Sequence, residues 1–326
     1  MKINHVLVKR VKRKLKSVIG YPMTSIKAEK ALNKLAQLKK DNELIIILTG
    51  AIGDSVYALA FLDAIKNQNK EKKIVVYGHS KWKDLLKSYT SIDRIEYIDS
   101  SDSDEIGDIK AIYGNNRVSE KGKELGIING NAFYYKKCYS AANPDIMYQL
   151  RTYIYNVGES APITYHGIRE GMYPINETNF GQNDFRKTVI LNPFSGSAFM
   201  ANSEIYEEIA KLLNTRGYNV FTNVVGDQEP VLGTKPLSCS IYQLYDLCCK
   251  CPLIVSIRSG ILDFVASSNI NMFVIYENCS ERIKKMYHLT NWECSGKIKE
   301  LYPDNTHEEK EQILNDFNVF IKEVLE

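Results

Sequence analysis

No apolar run among the 326 residues approaches the ~20 positions that a helix needs to cross a bilayer, so a helical membrane span is excluded. An export signal is not expected either. The N-terminal stretch HVLVKRVKRKLKSVIG breaks its apolar residues with lysine and arginine and never builds a continuous apolar core. Histidine is scarce, and His5, His79, His166, His288 and His307 form no cluster along the chain. Seven cysteines (Cys138, Cys239, Cys248, Cys249, Cys251, Cys279 and Cys294) are an odd number, and Cys248-Cys249-Lys250-Cys251 is their only close group. Zinc requires a second spaced pair, which is missing. Reduced, buried thiols in a cytoplasmic protein are therefore expected. The phosphate-loop signature G-K-[ST] is absent, as is a full G-x-G-x-x-G fingerprint. The acids of SSDSDEIGD (100–108) fall in a stretch read as a solvated loop, so no metal site is expected.

The length suggests two domains of roughly 150 residues each. The formal net charge of +3 hides a division. Residues 1–40 hold twelve Lys/Arg against the single acid Glu29, which leaves 30 basic and 38 acidic residues in the remainder. A cationic arm on an acidic body points to an anionic partner. Val6, Val8, Val11, Leu15, Val18 and Ile19 can line one face of a helix whose other face is basic. Such a helix lies on anionic lipid, each basic residue contributing about 1 kcal/mol near the surface. A solvated basic tail and a nucleic-acid contact are the other readings; the one carried forward is an anionic membrane surface bound through residues 1–40, without nucleic acid.

The apolar pattern alternates strands with helices. KAEKALNKLAQLKK spaces Ala28, Ala31, Leu35 and Leu38 helically and can prop the first domain. Strands are expected over 43–49, 73–78 and 94–98, with helices over 54–67 and near KWKDLLKSY; IKAIYG and LGIING read as further strands. PDIMYQLRTYIYNVG is a helix expected to stop at Gly158. Residues 1–40 are read as the arm, 41–170 as the first domain and 171–187 as a polar linker. Residues 188–304 form the second domain, and 305–326 an amphipathic helix with Thr306 as N-cap. Within the second domain, strands are expected over 188–192, 218–225, 253–257 and 271–276. Helices are expected over 203–217, from N-cap Ser203 to Gly217, over 240–250 and over 259–268. A β-α-β order implies parallel sheets with helices on both faces, and two such domains leave a cleft for a ligand between the C-terminal ends of their strands.

Four turns carry chemistry. In LTGAIGDSVYAL, Gly50 and Gly53 lead from a strand into a helix that opens with Asp54. An acid in a first helical turn repels a pyrophosphate placed there, but a carboxylate at that point can accept a proton from a hydroxyl. Taken by itself, Asp54 reads more readily as a plain N-cap. In the second domain, Pro193-Phe194-Ser195-Gly196-Ser197 is a small-residue loop able to cradle phosphate with backbone N–H groups. Arg258-Ser259-Gly260 places a cation and a hydroxyl at a helix start, which suits a diphosphate; Arg258 can instead pair with Asp263. Asp227 and Glu229, beyond another strand, can hydrogen-bond a ribose or base.

In order and spacing over residues 43–280, these motifs resemble the heptosyltransferase-like family of GT-B glycosyltransferases (glycosyltransferase family 9). LTGAIGDSVYALAFLDAIK resembles its first turn, LNPFSGSAFMANSEIYEEIA its donor loop, and IVSIRSGILDFVASSNINMFVIY its Asp-Ser/Thr-Gly motif. The resemblance implies an α/β GT-B fold of two Rossmann-like domains facing each other across a cleft. It implies an inverting, metal-independent transfer of sugar from a nucleoside-diphosphate sugar, with no further cofactor, to a hydroxyl of a lipid-linked or surface glycan at the cytoplasmic membrane face. Asp54 becomes the general base, with Gly50 and Gly53 on the acceptor side. Ser195, Gly196, Ser197, Asp227, Glu229, Arg258, Ser259, Gly260 and Asp263 become the donor side. The chain departs from the family where Arg258 replaces its aspartate, Asp263 its histidine, and Met200-Ala201-Asn202 its basic residue and Trp-Pro pair. Those departures point to a different nucleotide sugar or to a diverged branch that makes capsule or another surface glycan. Two other readings share the architecture: a nucleotide-sugar epimerase, and a degenerate glycosyltransferase that only binds.

Overall fold

The computed structural model describes residues 25–48, 51–98, 109–112, 115–131, 135–139, 143–175, 184–195, 202–277 and 279–326. The chain divides into two compact units, with the boundary in sequence between His166 and Gly167.

In the first unit, helix α1 (residues 25–38) precedes β1 (Glu43–Ile47), α2 (Ile52–Leu59), α3 (Leu62–Gln68) and β2 (Lys73–Gly78). A 3-10 turn and α4 (Lys83–Lys87) lead to β3 (Arg94–Tyr97), α5 (Ile109–Ile112), α6 (Asn116–Glu124), β4 (Ile127–Asn129), α7 (Lys136–Tyr139) and α8 (Ile146–Gln149). The sheet order is β3-β2-β1-β4, parallel throughout. All five residues of β1 are buried, as expected of a parallel strand covered on both faces. Ala28, Ala31, Leu32 and Leu35 of α1 pack on Ile45, Ile47, Val75 and Ile127. Leu38 is 52% exposed, so Leu32 takes the core place expected of it. Residues 25–38 thus belong to the first unit's core, which shortens the arm read over residues 1–40. Val6 to Ile19, and the acidic stretch 100–108, lie outside the described residues.

Several expected elements differ. IKAIYG is expected as a strand, but Ile109–Ile112 is a helical turn with both isoleucines in the core. The helix expected over 54–67 is two helices, interrupted at Ala60 and Phe61. Helix α8 continues as a π-helical turn, Leu150–Ile154, and ends before Gly158. Asn156 takes the left-handed conformation there (φ 57°), and Val157 N–H reaches Arg151 C=O at 2.8 Å. Asparagine supplies the stop for which glycine was expected.

The second unit runs β5 (Thr188–Asn192), α9 (Ser203–Thr215), β6 (Asn219–Asn223), β7 (Lys235–Leu237), α10 (Ile241–Lys250) and β8 (Leu253–Ile257). Helix α11 (Gly260–Val265), β9 (Asn271–Ile275), α12 (Glu281–Met286), β10 (Ile298–Leu301) and α13 (Lys310–Leu325) complete it. Its sheet order is β10-β9-β8-β5-β6-β7, again all parallel. Counted from β5, this is the 3-2-1-4-5-6 order of dinucleotide-binding folds, and the first unit contains the 3-2-1-4 part of it. Ile205, Ile209 and Leu213 of α9 pack with Phe317, Phe320 and Ile321 of α13 against Val189, Val255 and Phe273. The N-cap of α9 is Asn202, whose Oδ1 accepts from Glu204 N–H at 3.2 Å, rather than Ser203. Helix α13 starts at Lys310, so Thr306 is no cap; its hydroxyl is committed to Glu277. Strand β7 was missed because it is three residues long with Pro236 at its centre, which an edge strand tolerates.

Candidate functional site

In each parallel sheet the C-terminal strand ends share one edge, and ligands bind where neighbouring strands lead their chains in opposite directions. In the second unit this switch lies between β5 and β8, where Asn192 pairs with Ser256. The loop opening at Pro193-Phe194-Ser195 and the turn Arg258-Ser259-Gly260 follow these two strands directly. Ser195 is half-buried; Gly196 and Ser197 lie outside the described residues. Asp227 and Glu229 are exposed in the turn beyond β6, on the same edge, where Gly226 has φ 63°.

A buried amide network that the sequence reading missed underlies these loops. Asn223 Nδ2 donates to Asn192 Oδ1 at 2.8 Å, and Asn192 Nδ2 donates to Ser256 Oγ at 2.9 Å and to Ser259 Oγ at 3.4 Å. Asn192 is 1% exposed, Asn223 4% and Ser256 0%. Buried polar groups of this kind are retained only when paired. The signal available in sequence was three neighbouring strands, TVILN, NVFTN and LIVSI, with a polar residue at or next to the C-terminal end of each.

Arg258 faces inward. Its Nη2 donates to Asp263 Oδ1 at 2.7 Å, Nη1 to the Ser259 carbonyl at 2.7 Å, and Nε to the Tyr287 carbonyl at 3.1 Å. The guanidinium lies 5.5 Å from the Tyr287 ring, and Asp263 Oδ1 also accepts Trp292 Nε1–H at 3.1 Å. The Arg258–Asp263 alternative is thus the arrangement present. Helix α9 begins against a carboxylate as well. Glu277, two residues beyond β9, accepts Asn202 N–H on both oxygens (2.9 and 2.8 Å) and the Thr306 hydroxyl at 2.9 Å. An acid there favours the helix start and repels a second anion.

In the first unit the switch lies between β1 and β4. Asp54 sits half-buried in the first turn of α2, and the N-cap is Ala51, so the plain N-cap reading of Asp54 does not hold. Gly53 is buried in the same turn, and Gly50 lies outside the described residues. Gly130, just after β4, packs so tightly that a Cβ would stand 2.6 Å from Ala58 Cβ and 2.8 Å from Leu48 Cδ2. Beside it Asn129 donates through Nδ2 to Ser119 Oγ at 3.0 Å and accepts Asn131 N–H at 3.1 Å. The Tyr135 hydroxyl, which donates to the Asn129 carbonyl, is pushed up by burial and stays protonated. The sequence reading named none of Gly130, Asn129 or Asn131.

Cys239, Cys249 and Cys251 are pushed up to about 12, 11 and 12, chiefly by burial, and Cys248 well above the usual thiol value. No group of three or more His, Cys, Asp or Glu able to hold a metal is found among the described residues. None of the described helices is long and apolar enough to cross a membrane.

No protein-family model matches the sequence, and no curated protein matches it. Solved structures do. A glycosyl transferase of family 9 from Veillonella parvula aligns with a TM-score of 0.56 at 12% identity, over 86% of this chain and 98% of that one. The fold is GT-B. The E. coli ADP-heptose LPS heptosyltransferase II and the E. coli heptosyltransferase WaaC with ADP give TM-scores of 0.55 at 13% identity, each over 86% of this chain and 99% of theirs. This chain is thus built like the GT-B enzymes along nearly their whole length, at identities that speak for architecture alone.

Proposed function

We propose that this GT-B protein is a glycosyltransferase that moves a sugar from a nucleoside-diphosphate sugar to a hydroxyl of a glycan acceptor. The observation that carries the reading is the pair of switch points. The second unit brings the Pro193–Ser195 loop and the Ser259–Gly260 turn to adjacent strands, with Asp227 and Glu229 beyond the next strand on the same edge. The first unit brings an acid, Asp54, to the equivalent place.

In this reading the backbone of the two second-unit loops binds the diphosphate, and Asp227 or Glu229 meets the nucleoside hydroxyls. Asp54 accepts the proton of the acceptor hydroxyl as its oxygen attacks the anomeric carbon. The sugar–phosphate bond breaks in the same displacement, the nucleoside diphosphate leaves with the bonding pair, and the anomeric configuration inverts. The first turn of α9 carries no Lys or Arg, and the amide of its N-cap Asn202 already meets Glu277. Donor hydroxyl and base contacts therefore carry much of the affinity. The acceptor is a surface glycan or its lipid-linked precursor, and residues 1–24 meet the anionic membrane that carries it.

A thermal-shift screen with nucleoside diphosphates and their sugars tests the reading, since a ligand at 100 times its Kd adds about 2.7 kcal/mol of stability. One nucleotide is expected to raise the melting temperature, and its sugar conjugate to release nucleoside diphosphate when glycan acceptor is added. If no nucleotide in the screen stabilises the protein, the reading fails.

A further inference from the structure

We infer that Arg258 is a positioning residue: it fixes the β8–α11 turn from inside the fold and does not itself touch the diphosphate. This rests on the second unit being the donor-binding one. Three acceptors of its guanidinium belong to three pieces of chain: the Ser259 carbonyl in the turn, Asp263 in α11, and the Tyr287 carbonyl after α12. A planar guanidinium with donors on three sides can bridge all of them at once; an ammonium at a single point cannot. The backbone of the same residue is pinned too, Arg258 N–H reaching the Ile275 carbonyl at 3.1 Å and so tying the turn to β9.

The side chains of Arg258 and Asp263 are 6% and 2% exposed, and their opposite charges meet at 2.7 Å. Turning the guanidinium out toward a ligand would strip a buried carboxylate of its charge partner, at heavy cost. Tyr287 strengthens the anchor. Its carbonyl accepts both Arg258 Nε–H and the Tyr276 hydroxyl, so the segment after α12 is fastened to β9 and to the turn together. Arg258 and Asp263 therefore cancel as charges and act as a brace. The shape of the turn depends on them, while the charge felt by an incoming diphosphate does not.

Two variants of the full chain separate a brace from a phosphate contact. Arg258→Lys keeps the positive charge but loses the fork. Hydrogen exchange of peptides covering 257–264 and 285–292 is expected to quicken about tenfold or more, with the rest of both units unchanged. Unchanged exchange in those peptides overturns the inference whether or not a nucleotide binds. The double variant R258Q/D263N removes both charges and leaves no unpaired buried ion. The salt slope of its affinity for ADP, UDP or GDP, measured by calorimetry across a salt series, is expected to match that of the original even where a loosened turn lowers the affinity itself. A loss of about tenfold or more together with a shallower slope makes Arg258 a diphosphate contact and also overturns the inference. If the unaltered protein binds none of the three nucleotides, the functional reading fails, and the exchange experiment still decides the brace.

Discussion

Asn192→Ala removes the amide at the centre of the β5–β6–β8 network, and its cost can be worked from the partners left behind. Asn223 Nδ2 loses its acceptor at 2.8 Å and stays buried at 4% exposure. A stranded buried donor costs about 1–3 kcal/mol. Ser256 Oγ still donates to the Ile257 carbonyl at 2.6 Å and loses only the amide it accepted at 2.9 Å. That loss adds about 1 kcal/mol. The total is about 2–4 kcal/mol, lowered if water enters the vacated space. Urea unfolding of a Trp82→Phe background, followed by the emission of buried Trp292, reports on the second unit alone, as a two-unit chain requires. Asn223→Ala and the double variant complete a cycle. Because each single change strands the partner of the other, the double variant is expected to cost less than the sum by at least about 0.5 kcal/mol. Additivity within about 0.3 kcal/mol would refute the network.

Three further outcomes are expected. Gly130→Ala destabilises the first unit by about 1–3 kcal/mol through overpacking, since its Cβ meets Ala58 and Leu48. Gly78→Ala costs less, because its Cβ meets only the mobile end of Leu86 at 2.8 Å; Trp82 emission in a Trp292→Phe background compares the two. Iodoacetamide at pH 8 is expected to leave Cys239, Cys248, Cys249 and Cys251 largely unmodified in the folded protein, because burial keeps these thiols protonated, whereas unfolding exposes all four; rapid native labelling of any of them, read by mass spectrometry, contradicts this. Burial pushes the Asp93 carboxyl up, but hydrogen bonds from Lys66 Nζ (2.6 Å) and Ile74 N–H (2.7 Å) outweigh it and hold the group below its ordinary value. Its contribution is therefore present above about pH 4 and lost as pH falls through the folded pKa. Asp93→Asn should cost less than about 1 kcal/mol at pH 7, and the difference in melting temperature should close in acid.

The sequence was legible where local pattern and tertiary role agree. KIVVYG and LIVSI are buried on both faces and read as strands for that reason, and their bounds are those of the structure. It misled where a short apolar stretch serves either geometry. Two isoleucines three residues apart in IKAIYG fit one helical turn as well as a strand. That both sheets are parallel, by contrast, follows from the βαβ rhythm, while the order of their strands is read from the structure alone. Site residues defined by a turn, such as Asp54 and Ser259, are visible because the strand before each of them is. Asn192, Gly130 and Glu277 are not, since their meaning comes from partners 29 to 75 positions away: Asn223 and Ser256 for the first, Ala58 for the second, Asn202 and Thr306 for the third. Arg258 shows the same limit from the other side. Its type suggests an anion, while its surroundings give it three acceptors inside the fold.

The central claim is that Asp54 takes the proton from an acceptor hydroxyl during sugar transfer. The direct measurement compares Asp54→Asn with the unaltered protein in release of nucleoside diphosphate from the stabilising donor, in the presence of glycan acceptor, alongside nucleotide affinity by calorimetry. The account predicts a fall in kcat of about 10²–10⁴-fold with nucleotide affinity unchanged. Full turnover by Asp54→Asn would contradict it.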